Sequence, residues 1–377
     1  MSKFTKFVMD EKEWEIPEVY EVVRLLGAGS FGQVSKVKLR GSEVNVAIKK
    51  LLQAFETAEH AKRVYREIRL LKHMDHPNVI SLLDIFHPPS PSSNPNPTLE
   101  NFQQVYLVTH LMDADLHNVI RSQKLSHSQI KIILYQILRG LKYIHSAGVL
   151  HRDLKPGNIA VNKDCELRIL DFGMARLTSK DMTTNVTTRW YRAPEILFCW
   201  TNYTNAIDMW SVGCIFAELI TRRPLFPGRD YLNQLECIID KMGTPSAEFK
   251  RNIDFEGARK YIESLPTKSQ CDFAELFGLA GNSQAVDLIQ KMLVLDPDNR
   301  ITADEALRHP FLKDLVQPHH NDEDTAPLYD QNFENMDWLS VKCWKELVLN
   351  EIRNFRPPPS YEEALKCAMC QVDQKSC

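Results

Sequence analysis

The hydrophobic rhythm of the chain changes near residue 115. Up to about residue 110 apolar residues alternate with polar ones and turn residues punctuate them, the pattern of strands. Val44, Val46 and Ile48 fall on one face, which leaves Ala47 and Lys49 together on the other. One helical stretch interrupts this part, from about Ala58 to His73, with Val64, Ile68 and Leu71 on one side. Beyond Asp115 the spacing becomes helical: Ile130, Ile133, Leu134, Ile137, Leu138, Leu141 and Ile144 make a single apolar stripe. Ser126 with Gln129 offers that helix a capping box, and Gly148 sits where it should stop. The spacing predicts an α+β chain, a small β-rich lobe followed by a larger helical one, joined between His110 and Asp115.

Composition narrows the function classes. The 377 residues carry 46 Lys+Arg against 49 Asp+Glu, a formal charge of −3, which argues against a dominant nucleic-acid or acidic-membrane surface. With 44% hydrophobic and 25% charged residues the chain can bury a core, and its length suits about two domains or lobes. Nine cysteines are an odd count scattered from Cys165 to Cys377, and no basic-then-apolar leader precedes them; this argues against a secreted disulfide scaffold, and a reducing compartment is expected. The most apolar segment, Ile130 to Ile144, is broken by Lys131, Gln136, Arg139 and Lys142, so no membrane span is expected. His87 to Thr98 holds Pro88, Pro89, Pro91, Pro95 and Pro97 and reads as an exposed loop. Pro357-Pro358-Pro359 after Arg356 predicts a tail that leaves the last domain as extended chain.

The chemistry lies in short segments. Leu26-Gly27-Ala28-Gly29-Ser30-Phe31-Gly32-Gln33-Val34 joins two predicted strands, so it can form a hairpin whose backbone closes over phosphates, glycine lacking the Cβ that would prevent such an approach. Alone it is ambiguous, because the same glycine spacing opens dinucleotide folds; those need a helix next, whereas Val34 to Leu39 reads as strand. Val46-Ala47-Ile48-Lys49 sets a lysine opposite the core face, and Glu67 on the following helix can pair with it. A lysine so held binds the α- and β-phosphates of a nucleotide. Taken singly, each of these is an ordinary surface charge. The decisive run is His151-Arg152-Asp153-Leu154-Lys155-Pro156-Gly157-Asn158, followed by Asp171-Phe172-Gly173 and Ala193-Pro194-Glu195. Phosphoryl transfer needs a carboxylate to take a hydroxyl proton, oxygen ligands for Mg²⁺ and a cation near the moving group. Asp153, then Asn158 with Asp171, and Lys155 are of the required types and in the required order.

Those segments resemble a eukaryotic protein kinase, and from about Trp14 to Arg356 the chain resembles a mitogen-activated protein kinase of the stress-activated, osmosensing class, in a divergent insect form. The resemblance is carried by Thr188-Arg189-Trp190-Tyr191-Arg192-Ala193-Pro194-Glu195, by Val105 to Met112 and by Tyr135 to Ser146. It implies a bilobal fold: an N-terminal extension (1–19), a small lobe (20–112), a large lobe (113–311) with a helical insert near 228–265, an extension returning over the lobes (312–356) and a flexible tail (357–377). It implies ATP and Mg²⁺ as cofactors, with ATP in the cleft, Thr109 guarding the back of the adenine pocket, His110, Leu111 and Met112 bonding adenine, Ala47 beside it and Asp115 near the ribose. Asp208 to Gly213 resembles the start of a central buried helix, and Arg300 the partner of Glu195. Implied partners are an upstream MAP kinase kinase, Ser/Thr-Pro protein substrates, and basic docking peptides, including those of phosphatases, that meet the acidic Asp322-Glu323-Asp324. Neither nucleic acid nor a membrane span is expected; the resemblance implies a monomer, in cytoplasm and nucleus.

The chain departs from the pattern in its activation segment. The class carries Thr-Gly-Tyr, phosphorylated on both hydroxyls; here the residues are Thr183-Thr184-Asn185, and asparagine has no hydroxyl to receive the second phosphate. Arg63, Arg66 and Arg152 are expected to form a guanidinium cluster suited to a phosphate on Thr183, which adds about −2 charge. Arg189 and Arg192 lose their phosphotyrosine. Two readings follow: a kinase switched by Thr183 alone, or a weakly active or non-catalytic module that competes for docking peptides. Thr187 replaces the usual alanine beside the pocket for the substrate proline, and Lys163 puts a positive charge in the docking groove.

Overall fold

The computed structural model describes residues 3–29, 32–89, 99, 101–172, 188–198, 203–251, 253, 256–315 and 324–374. The chain divides into two compact units, one made of Met1–Asp75, Ile80–Met112 and Asp330–Cys377, the other of His76–Val79 and Asp113–Tyr329. The first is a small antiparallel sheet lobe and the second a larger helical lobe.

The first unit opens with a hairpin, β1 (Phe4–Met9) and β2 (Lys12–Pro17). Then β3 (Tyr20–Gly29), β4 (Gly32–Leu39), β5 (Asn45–Leu51), β6 (Leu82–Phe86) and β7 (Val105–His110) form a five-stranded antiparallel sheet in the order β3-β4-β5-β7-β6. The period-2 pattern decides the faces. Gln33, Ser35, Val37 and Leu39 of β4 are buried while Val34, Lys36 and Lys38 between them are half-buried. Val37, Leu39, Val46 and Ile48 pack with Trp14, Ile16, Tyr20 and Tyr106 into the core on one face, leaving Ala47 and Lys49 on the other. Val44, expected on the core face, precedes β5 and is exposed. Between β5 and β6 stands α1 (Ala58–His73), capped by Thr57, whose Oγ1 accepts from His60 N at 3.1 Å. Val64, Ile68 and Leu71 are buried along one side of it.

The second unit begins with the two-residue strand β8 (Ala114–Asp115), which joins β9 (Ile159–Val161) and β10 (Leu167–Ile169) in a small sheet. Its helices start with α2 (Leu116–Ser122) and α3 (His127–Ser146), the latter with the reciprocal Ser126–Gln129 capping box and the whole predicted stripe buried. Gly148 follows the helix with φ +73°, the left-handed step that ends a helix at low cost for glycine. The short α4 (Pro194–Leu197) leads to α5 (Ala206–Thr221), buried on all sides for most of its length. The expected helical insert contains α6 (Tyr231–Met242), α7 (Ala247–Arg251) and α8 (Glu256–Ser264). After it come α9 (Phe273–Leu276), α10 (Ser283–Met292) and α11 (Ala303–Leu307). Among the described residues no helix is long and apolar enough to cross a membrane.

The last segment returns to the first unit. α12 (Val341–Arg353) packs on α1, where Tyr65 meets Phe333 edge-on at 5.1 Å and Trp344 at 5.6 Å between ring centroids. The tail then departs from expectation, because Pro359–Gln374 is a helix, α13, rather than extended chain. Proline breaks a helix only from the inside; in the first turn its missing N–H is no loss, and the Pro358 carbonyl accepts from Tyr361 N and Glu362 N. Tyr361, Leu365 and Ala368, at spacings of four and three, then bury against the same core as Trp14 and Tyr20. The Tyr361 hydroxyl lies 2.9 Å from that of Tyr20, which donates to Asp84 Oδ2, also at 2.9 Å. Likewise the N-terminal extension is the β1–β2 hairpin, with Trp14 and Ile16 in that core. Tyr361→Ala is expected to lower the unfolding free energy by about 3 kcal/mol, and Tyr361→Phe by about 1 kcal/mol. Urea denaturation measures both; an unchanged midpoint for Tyr361→Ala would mean that α13 is not part of the core.

Candidate active site

The first unit carries a glycine-rich hairpin and a fixed lysine. In the β3–β4 hairpin Gly27 faces Val34, Ala28 faces Gln33 and Gly29 faces Gly32; Ser30 and Phe31 lie outside the described residues. The glycines serve different needs. A Cβ on Gly32 would come within 2.8 Å of the Lys50 carbonyl oxygen, so the close passage of β5 demands glycine there. A Cβ on Gly27 or Gly29 would meet nothing within 4 Å, so packing does not require glycine at either position; its absence keeps the backbone open to phosphate oxygens. Leu26 is partly exposed just before them. In register beside the hairpin, β5 sets Lys49 opposite Val34 and Ala47 opposite Thr109. Lys49 Nζ meets Glu67 Oε1 at 2.6 Å, and Glu67 is buried on α1. β7 ends at His110, and the backbone leaves this unit after Met112.

The second unit, taken by itself, carries a loop held in strain. Arg152 has φ +68° and Asp171 φ +61°, a left-handed conformation that costs a residue bearing a Cβ about 1 kcal/mol or more. The restraint comes from α5: Asp208, wholly buried, accepts from Arg152 N at Oδ1 (2.8 Å) and from His151 N at Oδ2 (2.9 Å), with His145 Nε2 also 2.9 Å from Oδ2. Burial pushes the Asp208 carboxyl up, but the His145 hydrogen bond, the neighbouring histidines and the Arg152 amide outweigh it and hold the group below the usual carboxylate range. His151 Nε2 meets the Leu170 carbonyl at 2.8 Å, and its ring packs on Phe172. This fixes Asp153. Its Oδ2 takes Lys155 Nζ at 2.8 Å and Asn158 Nδ2 at 2.9 Å, while Oδ1 is buried with no hydrogen-bond partner among the described residues. A carboxylate with one oxygen pinned and the other empty is equipped to accept a proton. The Asn158 amide nitrogen is committed to Asp153 O and Oδ2, and its oxygen is of the type Mg²⁺ takes as a ligand.

The family follows from comparison. Residues 20–312 match the model of the protein kinase domain. The chain is 59% identical over 364 residues to mitogen-activated protein kinase p38a of Drosophila melanogaster, covering 97% of each chain. It is 55% identical over 365 residues to p38b of the same organism (97% and 98%) and 49% identical over 363 residues to mitogen-activated protein kinase 14 of Xenopus laevis (96% and 98%). The chain belongs to the p38 group of stress-activated MAP kinases. It is an ATP-dependent protein serine/threonine kinase.

Beyond the loop, the kinase anchors its activation segment from the carboxyl side. Trp190 Nε1 donates to the Gly228 carbonyl at 3.0 Å, Ser211 Oγ to the Tyr191 carbonyl at 2.7 Å, and the Tyr191 hydroxyl to Glu218 at 2.6 Å. Arg300 grips Glu195 with two nitrogens at 2.7 and 3.0 Å, both side chains buried. Thr183, Thr184, Asn185 and Thr187 lie outside the described residues, as do Gly173, Asp322 and Glu323.

Several expected site residues are placed otherwise than the sequence suggests. Arg66, expected to await a phosphate, is buried and holds both oxygens of Glu334. Arg63 lines a small cavity with His60, Val64 and Glu67. The Arg152 guanidinium lies 5.4 Å from the Tyr203 ring centre, and Arg189 is half-buried. Burial lowers the Arg192 guanidinium, against the opposing charge of Asp153, so Arg192 lies within the field of the catalytic loop. Both Asp115 oxygens serve Asn118, as cap of α2 and as side-chain partner. Gln33 turns its side chain to the core face, away from Val34. Asp324 is no part of an exposed patch: it is 3% exposed, bound by Arg139 at 2.7 and 2.8 Å and by His76 at 2.8 Å.

Asp208 was readable only as a helix start, although a lone carboxylate opening a long apolar helix must be paired once buried. Glu334 gave no signal, being one charge among several in its segment. Burial raises the Asp324 carboxyl, but His76 and Arg139 draw it well below its ordinary value of 3.8. Its pairing therefore stabilises the fold above that value and is lost as pH falls below it. Asp324→Asn is expected to cost about 2 kcal/mol at neutral pH. Urea titrations at descending pH should show that difference shrinking below about pH 4; a pH-independent gap would contradict the ionic pairing.

Proposed function

We propose that this kinase transfers the γ-phosphoryl group of Mg·ATP to a Ser or Thr followed by Pro, and that phosphorylation of Thr183 alone switches it on. The observation that carries the catalytic part is the buried Oδ1 of Asp153, without a hydrogen-bond partner among the described residues, beside an Oδ2 fixed by Lys155 and Asn158. In this reading Asp153 orients the substrate hydroxyl and takes its proton as the oxygen attacks phosphorus and the bond to the departing ADP oxygen breaks. Lys155 steadies the γ-phosphate, Lys49 held by Glu67 positions the α- and β-phosphates, and the open backbone at Gly27 and Gly29 receives phosphate oxygens. Leu111 with its neighbours His110 and Met112 bonds adenine. Asn158 and Asp171 would hold Mg²⁺, which neutralises phosphate charge when bound. The residues present fit both groups.

The switch rests on the Thr-Thr-Asn sequence and on the arginines that the resemblance assigns to its phosphate. Arg66 is engaged by Glu334, so a phosphate on Thr183 would have to displace that carboxylate or rely on Arg63 and Arg152. An upstream MAP kinase kinase supplies the phosphate, and basic docking peptides of activators, substrates and phosphatases meet the acidic segment at Asp322 and Glu323. Cytoplasm and nucleus are the compartments this reading implies.

Phosphate incorporation from labelled ATP into a Ser-Pro substrate, before and after treatment with an activating MAP kinase kinase, tests the reading. Asp153→Asn is expected to reduce turnover by about 10²-fold or more. Thr183→Ala should keep the basal rate and lose the rise on activation. No transfer by wild type above the Asp153→Asn background in either state would move the function to a kinase-fold module that occupies docking peptides.

A further inference from the structure

The amino-terminal hairpin β1–β2 precedes the matched kinase domain, which begins at residue 20. It is nevertheless tied to the strand that carries the last glycine of the phosphate-binding hairpin. Gln33, next to Gly32 and in register with Ala28, is 2% exposed. Its Oε1 accepts from Trp14 Nε1 at 3.1 Å, and its Nε2 donates to Asp10 Oδ2 at 3.2 Å. An amide used from both ends has one orientation. Two further ties run alongside: Ser35 Oγ donates to Met9 Sδ at 3.2 Å, and Lys50, in register with Gln33, donates to the Glu13 carbonyl.

The turn that presents Asp10 is itself strained. Met9 pairs with Lys12, so Asp10 and Glu11 close the hairpin alone, with φ +48° and +60°. Two-residue turns of this hand are ordinarily made with glycine or asparagine, because a side chain resists the left-handed region. Strain that persists at an exposed turn points to a role for what the turn holds, here the Asp10 carboxylate at Gln33.

We infer that Gln33 is a positioning residue for the ATP-binding hairpin, fixed by Asp10 and Trp14, so that the β1–β2 hairpin presets the affinity of the kinase for ATP. The argument is one of preorganisation. Tilting β3–β4 against β5 would break the two Gln33 bonds together, so the glycine backbone stands ready before the nucleotide arrives and less ordering is left for binding to impose. Once ATP is bound its own contacts hold the loop, so turnover should be indifferent to the tie. The inference rests on the reading of Gly27 to Val34 as the phosphate cradle.

The test measures ATP dissociation constants by calorimetry and, on activated enzyme, KM for ATP and kcat with a Ser-Pro peptide. Gln33→Leu and Asp10→Ala are each expected to weaken ATP binding and raise KM by about 5- to 20-fold, with kcat at saturating ATP within about twofold of wild type. Gln33→Glu sets two carboxylates together and should do the same, and adding Asp10→Asn should restore wild-type affinity by supplying an amide donor. Gly27→Val with Gly29→Val, where a Cβ meets nothing within 4 Å, separates the two readings. If this variant binds ATP as wild type does, the cradle assignment fails and the inference with it. If it loses ATP while Gln33→Leu and Asp10→Ala both bind within about twofold of wild type, the inference alone is overturned, whatever their melting temperatures. Should Gln33→Leu fail to fold, Asp10→Ala, at an exposed turn, decides the question.

Discussion

The polar architecture of the larger unit hangs on one buried carboxylate. Asp208 accepts from two consecutive backbone amides, and those bonds keep Arg152 in a left-handed conformation it would otherwise leave. Removing such an acceptor leaves buried donors unsatisfied, a cost of the same order as the strain it restrains. Further along the same helix, Ser211 and Glu218 hold the carbonyl and hydroxyl of Tyr191, while the Trp210 ring lies under the Arg300 guanidinium that grips Glu195. A single buried helix thus sets the catalytic loop and the end of the activation segment in a common frame. Motion in either is constrained by side chains that have no room to adjust.

The regular elements were legible because their causes are local. The boundaries of α1 and the capping box of α3 can be read from residues within a few positions of each, and the β-strand alternation is equally short in range. The grouping of Asp153, Lys155 and Asn158 was legible for another reason: they stand within six residues of one another, in the order that phosphoryl transfer asks of such groups. What escaped the sequence depends on partners far away along it. Arg66 and Glu334 are 268 residues apart, and Arg139 and Asp324 are 185 apart. A charged side chain looks the same in sequence whether it waits for a ligand or is already matched within the fold. Gln33 shows the converse case: its position beside Gly32 suggested contact with nucleotide, whereas strand alternation turned it to the other face.

The Arg66–Glu334 pair deserves weight in any account of switching. A guanidinium held by both oxygens of a carboxylate is electrostatically satisfied, so any phosphate that reached it would gain only the difference between two strong pairs. The segment that holds Glu334 also brings Phe333 against Tyr65 of α1, the helix that carries Glu67. Release of Glu334 would therefore be felt where the Lys49–Glu67 pair is set.

The seating of α13 on the first unit has a consequence for how the protein is made. The strands of that unit are complete by residue 110, yet the outer layer of their core includes Leu365 and Ala368. A ribosome emits the sheet long before it emits the helix that covers it, and Asp113–Tyr329 of the second unit is synthesised in between. During that interval Tyr20, Val37 and Leu39 present an apolar face with part of its cover missing, a surface that chaperones recognise and that neighbouring nascent chains can join. Completion of the smaller lobe's core thereby waits until α13 has been synthesised, whichever lobe folds first.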